Sequence, residues 1–301
     1  MGTKREPWEV IRLALFGDLV ALTGRALRKW IRNPAAVLPG FFTALFYLAL
    51  FGNSFNPTSL VPSNIAGFQL TPSILDQIKT SILTQTFGGA TTYISYLTAG
   101  IICLVLVFNM AFGGIDLVLD RQLGFLNTLL TAPISRAAIF FSGVAQNIVK
   151  VMALALLTFV IAVLLPNGLV LGKGFGVLEF IGVFGSFALL AFALSCVFTA
   201  LALSVRSIDS LVAIVNFATF PLVFTSTALF PQAGFPSWLL TISNVNPITK
   251  ATDAARLLMI NGNLTAAQFN VFAWDAAYLF VFAVVMAILG YIAAVRALSP
   301  E

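Results

Sequence analysis

Six long apolar runs separated by short polar connections constrain the fold of this chain more than any other feature. A bilayer core of about 30 Å requires about 20 helical residues, and most runs reach that length. With 59% apolar and 9% charged residues, the chain cannot bury these runs inside a soluble domain. The sequence therefore predicts an all-α polytopic membrane protein with six transmembrane helices. The predicted spans are 35–51 (expected to extend to Phe55), 93–115, 140–165, 178–205, 211–230 and 272–295.

Residues 1–34 predict an N-terminal amphipathic interfacial helix. Its apolar residues recur every three or four positions and include Trp8 and Trp30, and a separate stripe carries the basic residues Arg25, Arg28, Lys29 and Arg32. Pro34 separates this helix from the first span. Because a charged leader precedes the first run, that run is expected to be a retained span rather than a cleaved signal. The leader is predicted to anchor the chain to lipid.

The distribution of basic residues predicts the orientation of the spans. Eleven Lys and Arg residues lie before the first span, in the even-numbered connections and in the tail, four lie in the odd-numbered connections, and Lys150 lies inside a span. Cytoplasmic flanks collect basic residues, so both termini are expected to face the cytoplasm. The net charge of +5 then reflects topology and contact with the lipid bilayer, and no nucleic-acid partner is expected.

Several kinds of chemistry are excluded by residue content. The chain has no His, and both cysteines, Cys103 and Cys196, fall within apolar runs. No His-ligated metal site, Cys–His nucleophile or disulfide framework is therefore expected. The stretch 168–174, GLVLGKG, lacks the spacing and the hydroxyl residue of a phosphate-binding loop and is interpreted as an external turn. We expect neither catalysis nor a cofactor in this chain.

A polar segment, 116–136, separates the second and third predicted spans. Leu119, Leu123, Leu126 and Leu130 share one helical face, and Pro133 is expected to end that helix. The order DRQLGFL followed by LLTAPISR resembles the loop between the second and third spans of type 2 ABC transporter permeases, in particular those of the daunorubicin-resistance exporters.

The resemblance implies that residues 116–138 form a cytoplasmic coupling loop, with a coupling helix from Asp120 to Pro133, that contacts a separate ATPase. The residues it assigns to coupling are Asp116, Asp120, Arg121, Gln122, Gly124, Pro133 and Arg136. Gln122 departs from the family, which usually has an acid there, so Asp116 or Asp120 is expected to supply the charge. The resemblance also implies that the amphipathic leader is a connecting helix that touches the ATPase.

A second match lies in 231–268, where NPITKATDAAR resembles the external hairpin of the same family. Two short apolar helices split by Pro247 are expected, each too short to span, so that the pair enters the bilayer and returns. The resemblance implies that Pro247, Asp253 and Arg256 belong to an outer gate. Asp253 and Arg256, three residues apart on a helix, can equally form a local ion pair.

Polar and aromatic residues within the spans give candidates for a substrate pathway. Asn109 and Asn216 need partners inside a membrane, which either a lumen or a helix contact can supply. Phe112 and Phe220 lie near them and can line a pathway or face lipid. Lys150 is interpreted as an isolated cation that reaches towards the interface.

The resemblance implies that residues 35–301 form the permease domain of an exporter of a hydrophobic drug or lipid in the plasma membrane. Two copies of a separate ABC ATPase would bind ATP and Mg, and a second permease copy would complete a homodimer. Six helices alone do not specify the energy source, so an ion-driven transporter or channel and a non-transporting scaffold remain alternatives.

Overall fold

The computed structural model describes residues 7–32, 34–54, 93–125, 135–165 and 168–298, with 64–65, 68–69, 71, 73, 77, 81, 87, 89–90 and 131. The described part consists of helices and the segments that connect them, with a two-residue antiparallel ladder between β1 (Asn64–Ile65) and β2 (Phe68–Gln69). The helices are α1 (Pro7–Ile31), α2 (Pro34–Ser54), α3 (Tyr93–Gly113), α4 (Ile115–Gln122), α5 (Arg136–Leu164), α6 (Val177–Ser204), α7 (Ile208–Phe224), α8 (Ser237–Asn244), α9 (Pro247–Asn261) and α10 (Ala266–Ala297).

Four stretches of the described chain are long and apolar enough to cross a bilayer. They are Tyr93–Gln122, Arg136–Leu164, Val177–Ser204 and Ala266–Ala297. The remaining two predicted spans coincide with shorter apolar helices, Leu38–Leu50 and Ile208–Phe224. The chain is thus a helical protein of the multi-pass membrane type.

Helix α3 lies at the centre of the bundle. Every side chain from Ile94 to Val107 is buried, and α3 packs against α2, α5, α6, α7 and α9. Close approach is possible because Gly100 has no side chain, and a Cβ there would overlap the carbonyl oxygen of Ala228. The segment that follows α7 is therefore fixed directly against the central helix.

Helices α6 and α10 form a second tight contact. Gly290 of α10 lies against Cys196 of α6, where an added Cβ would come within 2.8 Å of the Cys196 carbonyl oxygen. The other faces of α10 are exposed and apolar, with Trp274 and Phe280 among the exposed residues. Such an apolar outer surface on a bundle of long helices is typical of contact with lipid.

The fifth predicted span is wrong at its end, because the helix stops at Phe224 rather than continuing to Phe230. Residues beyond Phe224 turn towards α8 and α9. Asn246 donates to the carbonyl oxygen of Leu222 at 2.7 Å and to the Thr225 hydroxyl at 3.0 Å. These bonds satisfy groups in the last turn of α7, so the chain can leave the helix without burying unpaired polar groups.

A helix, α1, forms within the predicted leader segment, and it packs on the bundle through α5 and α2. Leu22 and Ala26 line a cavity together with Ile139 and Ser142 of α5. Part of the apolar face is therefore covered by protein. The basic residues of α1 have two kinds of partner. Arg28 donates to the carbonyl oxygen of Gly24 on the same helix, whereas Arg25 lies over the ring of Phe125 and Lys29 pairs with Asp116.

Candidate functional site

Three charged residues from three helices meet beyond the end of α3, and we call them the Asp116 cluster: Lys29 of α1, Asp116 of α4 and Lys150 of α5. The two carboxylate oxygens of Asp116 accept separately, Oδ1 from the Lys29 Nζ at 3.2 Å and Oδ2 from the Lys150 Nζ at 3.2 Å. Residues 29, 116 and 150 are far apart in sequence, so the cluster ties the leader helix, the polar segment and the third predicted span together.

Lys150 is buried and paired with Asp116, so the interpretation of Lys150 as an isolated cation is wrong. Only 11% of its side chain is exposed, against 60% for Lys29. A buried ammonium group is strongly destabilising without a counter-ion. Asp116 supplies that counter-ion, and its position is therefore tied to the interior of the bundle.

Arg121 and Gln122 join α4 to the end of α6. The Arg121 guanidinium donates to the carbonyl oxygens of Leu203 at 2.8 Å and Val205 at 3.3 Å, and Gln122 donates to that of Arg206 at 3.4 Å. The last carbonyls of a helix lack partners within it and carry partial negative charge. Arg121 donates hydrogen bonds to these carbonyl oxygens, and its positive charge offsets their partial negative charge. It thereby holds α4 against the α6–α7 connection.

The expected continuous helix from Asp120 to Pro133 is broken. Asp120, Arg121 and Gln122 form the last turn of α4, and the chain turns at Leu123 and Gly124, where φ is +76°. A backbone in this left-handed region favours glycine and ends the helical face that begins at Leu119. Pro133 and residues 126–130 lie outside the described residues, and Arg136 begins α5.

A second polar group, which we call the Arg256 network, lies near the start of α3 and comprises Tyr96, Thr227, Asp253 and Arg256. The guanidinium of Arg256 donates to the Tyr96 carbonyl oxygen at 3.1 Å, the Thr227 carbonyl oxygen at 3.1 Å and Asp253 Oδ1 at 2.9 Å. It also lies 3.6 Å from the centroid of the Tyr96 ring. One buried cation thus joins α3, the segment that follows α7, and α9.

The local pair between Asp253 and Arg256 is confirmed, and both residues have further partners. Asp253 Oδ1 also accepts from the Thr227 hydroxyl at 2.9 Å. Burial raises the pKa of the Asp253 carboxyl, and the Arg256 guanidinium and the Thr227 hydroxyl act against that rise. The carboxylate is therefore held between opposing effects, as expected of a charge enclosed by fixed donors.

The expected pair of short helices split by Pro247 is confirmed as α8 and α9. Pro247 is the first residue of α9, where its missing N–H removes no helical bond, and Asn246 caps the helix by accepting from the Ile248 N–H at 2.8 Å. Lys250 of α9 pairs with Asp275 of α10 at 2.9 Å. The Tyr278 hydroxyl donates to the Val245 carbonyl oxygen at 2.5 Å, so α10 holds both short helices.

The four pathway candidates are partly brought together. Phe220 packs edge-on against Phe108, the neighbour of Asn109, with ring centroids 6.0 Å apart. Asn109 donates to the carbonyl oxygen of Val105 on its own helix at 2.8 Å. Phe112 and Phe220 are both substantially exposed on the outside of the chain, and Asn216 is partly exposed.

The two polar groups mark opposite ends of one helical stretch. Tyr96 and Asp116 are 20 residues apart along Tyr93–Gln122, which corresponds to about 30 Å at 1.5 Å per residue. That distance matches the thickness of a bilayer core. The buried, apolar part of α3 lies between the two polar groups.

A model of the family described as "ABC-2 type transporter" matches residues 18–260, which include both polar groups. The chain belongs to this ABC-2 type transporter family. Members of the ABC-2 family are transmembrane subunits that work with ABC ATPases and carry no nucleotide-binding domain of their own.

Curated relatives agree with this assignment. The chain is 28% identical over 258 residues to a protein of Porphyra purpurea named as transport permease ycf38, covering 84% of this chain and 77% of that protein. It is 23% identical over 272 residues to a Mycobacterium tuberculosis protein named as the doxorubicin resistance ABC transporter permease DrrC. The match covers 89% of this chain and 86% of that protein. The chain is also 26% identical over 188 residues to a Streptomyces coeruleorubidus protein named as the daunorubicin resistance ABC transporter permease DrrB1. That match covers 59% of this chain and 63% of that protein.

The residues that sequence reasoning missed in this ABC-2 permease are the distant partners. Lys29 and Lys150 were visible as cations and Thr227 as a polar residue in a span, but their partners lie 87, 34 and 26 residues away. An intramembrane cation is itself a signal that a counter-ion lies nearby. For Lys150, the acid that follows the second predicted span was the available candidate.

Proposed function

We propose that this chain is the transmembrane subunit of an ATP-driven ABC exporter that moves a hydrophobic drug-like molecule or a lipid outward across the plasma membrane. ATP and Mg are bound by a separate ATPase, present in two copies. Family membership supports the ABC transporter class, and the names of the doxorubicin and daunorubicin resistance relatives support the substrate class.

The observation that carries this proposal is the attachment of α4. It continues from α3 through Gly114, is tied to α1 and α5 by Asp116, and is tied to the end of α6 by Arg121. A helix held in this way cannot move alone. Force applied by an ATPase to α4 would therefore be passed to several membrane helices as a rigid-body displacement.

We further propose that the Asp116 cluster faces the cytoplasm and the Arg256 network faces outward. Both termini are then cytoplasmic, and α2 and α7 complete a set of six spans. Helices α8 and α9 form the external re-entrant hairpin, which α3 would displace through the contact between Tyr96 and Arg256. Pro247, Asp253 and Arg256 are the proposed outer gate.

The substrate pathway is proposed to lie between two copies of this chain. Phe112 on α3 and Phe217 and Phe220 on α7 are exposed on the protomer, with 39%, 84% and 46% of their surface accessible. Asn109 and Asn216 add polar groups near this aromatic surface. A homodimer would turn the surface into the wall of a pathway suited to flat apolar molecules.

The test is ATP hydrolysis by proteoliposomes that contain this chain and its candidate ATPase, measured across a panel of drugs and lipids. Stimulation by a compound is expected, and the double variant Asp120→Ala and Arg121→Ala is expected to lose it while the complex still assembles. The control is Lys173→Ala with Glu179→Ala, which also removes one cation and one acid but away from α4. If no ATPase associates with the chain, or the control loses stimulation equally, the proposal fails.

A further inference from the structure

Two neighbouring side-chain amides of α5, those of Gln146 and Asn147, are buried without complete hydrogen bonding among the described residues. Gln146 is 5% exposed and Asn147 is 1% exposed. Three amide atoms lack a partner in this part of the chain, namely Oε1 of Gln146 and both Oδ1 and Nδ2 of Asn147. A buried polar atom without a hydrogen bond is destabilising, and such atoms are rare in folded proteins. Three of them in consecutive residues therefore require a physical reason.

Both amides lie beside the ion pair between Lys150 and Asp116. Gln146 and Asp116 line the same cavity between α1, α4 and α5. The Asn147 amide lies against Gly113, where an added Cβ would come within 2.6 Å of Oδ1, and Gly113 is three residues before Asp116. Lys150 follows Gln146 by four residues and Asn147 by three on α5. The amides and the ion pair thus occupy neighbouring positions where α3, α4 and α5 meet.

The spacing along α5 brings both amides within reach of the Lys150 ammonium group. Residues three and four apart share one helical face, with Cβ atoms about 5–6 Å apart, and helical side chains point towards the N-terminus. Lys150 therefore extends along α5 in the direction of Gln146 and Asn147, and its flexible four-carbon stem can bridge that distance. An ammonium group can donate three hydrogen bonds, and within the described residues Lys150 donates one, to Asp116.

The two ends of this ion pair differ in their freedom to move. Asp116 is partly exposed and belongs to the short helix α4, whereas Lys150 is enclosed by the bundle. If Asp116 moved away with α4, Lys150 would remain as a buried charge without a counter-ion, which is strongly destabilising. Amide oxygens beside the ammonium group reduce that cost, because a charge that donates to carbonyl oxygens is partly solvated by them.

We propose that the amide oxygens of Gln146 and Asn147 form a second site for the Lys150 ammonium group, which it occupies when Asp116 moves away. In one state Lys150 donates to Asp116 and joins α5 to α4. In the other state it donates to Oε1 of Gln146 and Oδ1 of Asn147 on its own helix, and α5 releases α4. The connection between α4 and α5 can thus open and close without leaving a buried charge unpaired. The inference concerns the partners of Lys150 and does not depend on the proposed export activity.

The experiment is a set of double-mutant cycles on the purified full chain in nanodiscs, read as the midpoint of thermal unfolding. Gln146→Met and Asn147→Leu each remove an amide at similar volume. In the parent chain, each is expected to leave the midpoint unchanged or to raise it, because an unpaired buried group is removed. In the Asp116→Leu background, each is expected to lower the midpoint by about 2–4 °C, because Lys150 then depends on the amides. Changes in packing are common to both backgrounds and cancel in the cycle.

Two controls assign the effect to Lys150. A Lys150→Met background has no ammonium group, so each amide substitution is expected to have the same effect there with and without Asp116. Thr219→Val is the matched control outside the site, because the Thr219 hydroxyl is also buried and unpaired among the described residues but lies on α7. It is expected to show no coupling to Asp116→Leu. Asp116→Asn, which also removes the negative charge, takes the place of Asp116→Leu if that variant does not fold.

Equal effects of the amide substitutions in the parent and Asp116→Leu backgrounds would overturn the proposal, because Lys150 would then make no use of the amides. Coupling that persists in the Lys150→Met background would show that the amides interact with residue 116 directly, and would overturn it as well. No ATPase takes part in these measurements, so their failure is distinguishable from a failure of the proposed function.

Discussion

Asp116 and Lys150 form an ion pair at 3.2 Å that joins the polar segment after α3 to the interior of α5. Lys150 is enclosed by the bundle, whereas 41% of the Asp116 side chain is exposed. The pair therefore has a buried end and an accessible end. That asymmetry sets what each substitution should do.

The loss of unfolding free energy caused by each substitution in the Asp116 cluster should increase with the burial of the ion pair that it breaks. Lys150→Met and Asp116→Asn should each lower the free energy of unfolding by about 1–3 kcal/mol, because each breaks a partly buried pair. Lys29→Met should cost less than about 1 kcal/mol, because its pair is exposed and weakened by solvent. Thermal unfolding of the purified chain in nanodiscs measures this order, and an equal loss for Lys29→Met would contradict it.

Arg256 should tolerate no other cation. Arg256→Lys retains charge but loses the planar fork that reaches Tyr96, Thr227 and Asp253 together. We expect a loss of about 2–4 kcal/mol in unfolding free energy, since buried polar groups are left unpaired. In a double-mutant cycle, Arg256→Lys and Asp253→Asn should be strongly non-additive. Additive effects would show that the network does not act as a unit.

Two glycines on membrane helices should behave oppositely when replaced by alanine. Gly100→Ala should destabilise the chain by about 1–3 kcal/mol or more, because the added Cβ overlaps the backbone of Ala228. Gly185→Ala has open space around it and should be neutral or stabilising by up to about 1 kcal/mol. Unfolding midpoints of the two variants and the parent chain provide the comparison. A tolerated Gly100→Ala would contradict the close packing of α3 against residue 228.

The proposed orientation can be read by labelling single cysteines with a membrane-impermeant maleimide. Leu123 is 80% exposed at the end of α4, and Ala233 is exposed in the 3₁₀ turn before α8. In sealed right-side-out vesicles, Ala233→Cys should react and Leu123→Cys should react only after permeabilisation. The parent chain is the control, because Cys103 and Cys196 are both fully buried. The reverse pattern would invert the proposed topology.

Much of the fold could be predicted because it depends on local patterns. Apolar runs locate α3, α5, α6 and α10, and Pro247 separates α8 from α9 as expected. Local patterns also gave the pairing of Asp253 with Arg256, three residues away.

The remaining features depend on contacts that no local pattern contains. Arg256 reaches Tyr96 across 160 residues and Asp116 reaches Lys29 across 87. The early end of α7 follows from bonds donated by Asn246. The break at Gly124 had a visible signal in the glycine itself, but the leucine periodicity across it favoured a continuous helix. Tertiary contacts thus determine the partners of Arg256 and Asp116 and the end of α7, and the backbone conformation of Gly124 determines the end of α4.

ATP-driven transport tests the central claim most directly. ATP would be added to the solution outside inside-out vesicles that contain this chain and its candidate ATPase. Uptake of a fluorescent hydrophobic drug and of a labelled lipid would then be followed in time. We predict uptake that requires ATP and Mg, is lost in the Asp120→Ala and Arg121→Ala double variant, and is insensitive to collapse of ion gradients. Uptake that persists without the ATPase and stops when ion gradients are collapsed would contradict the account.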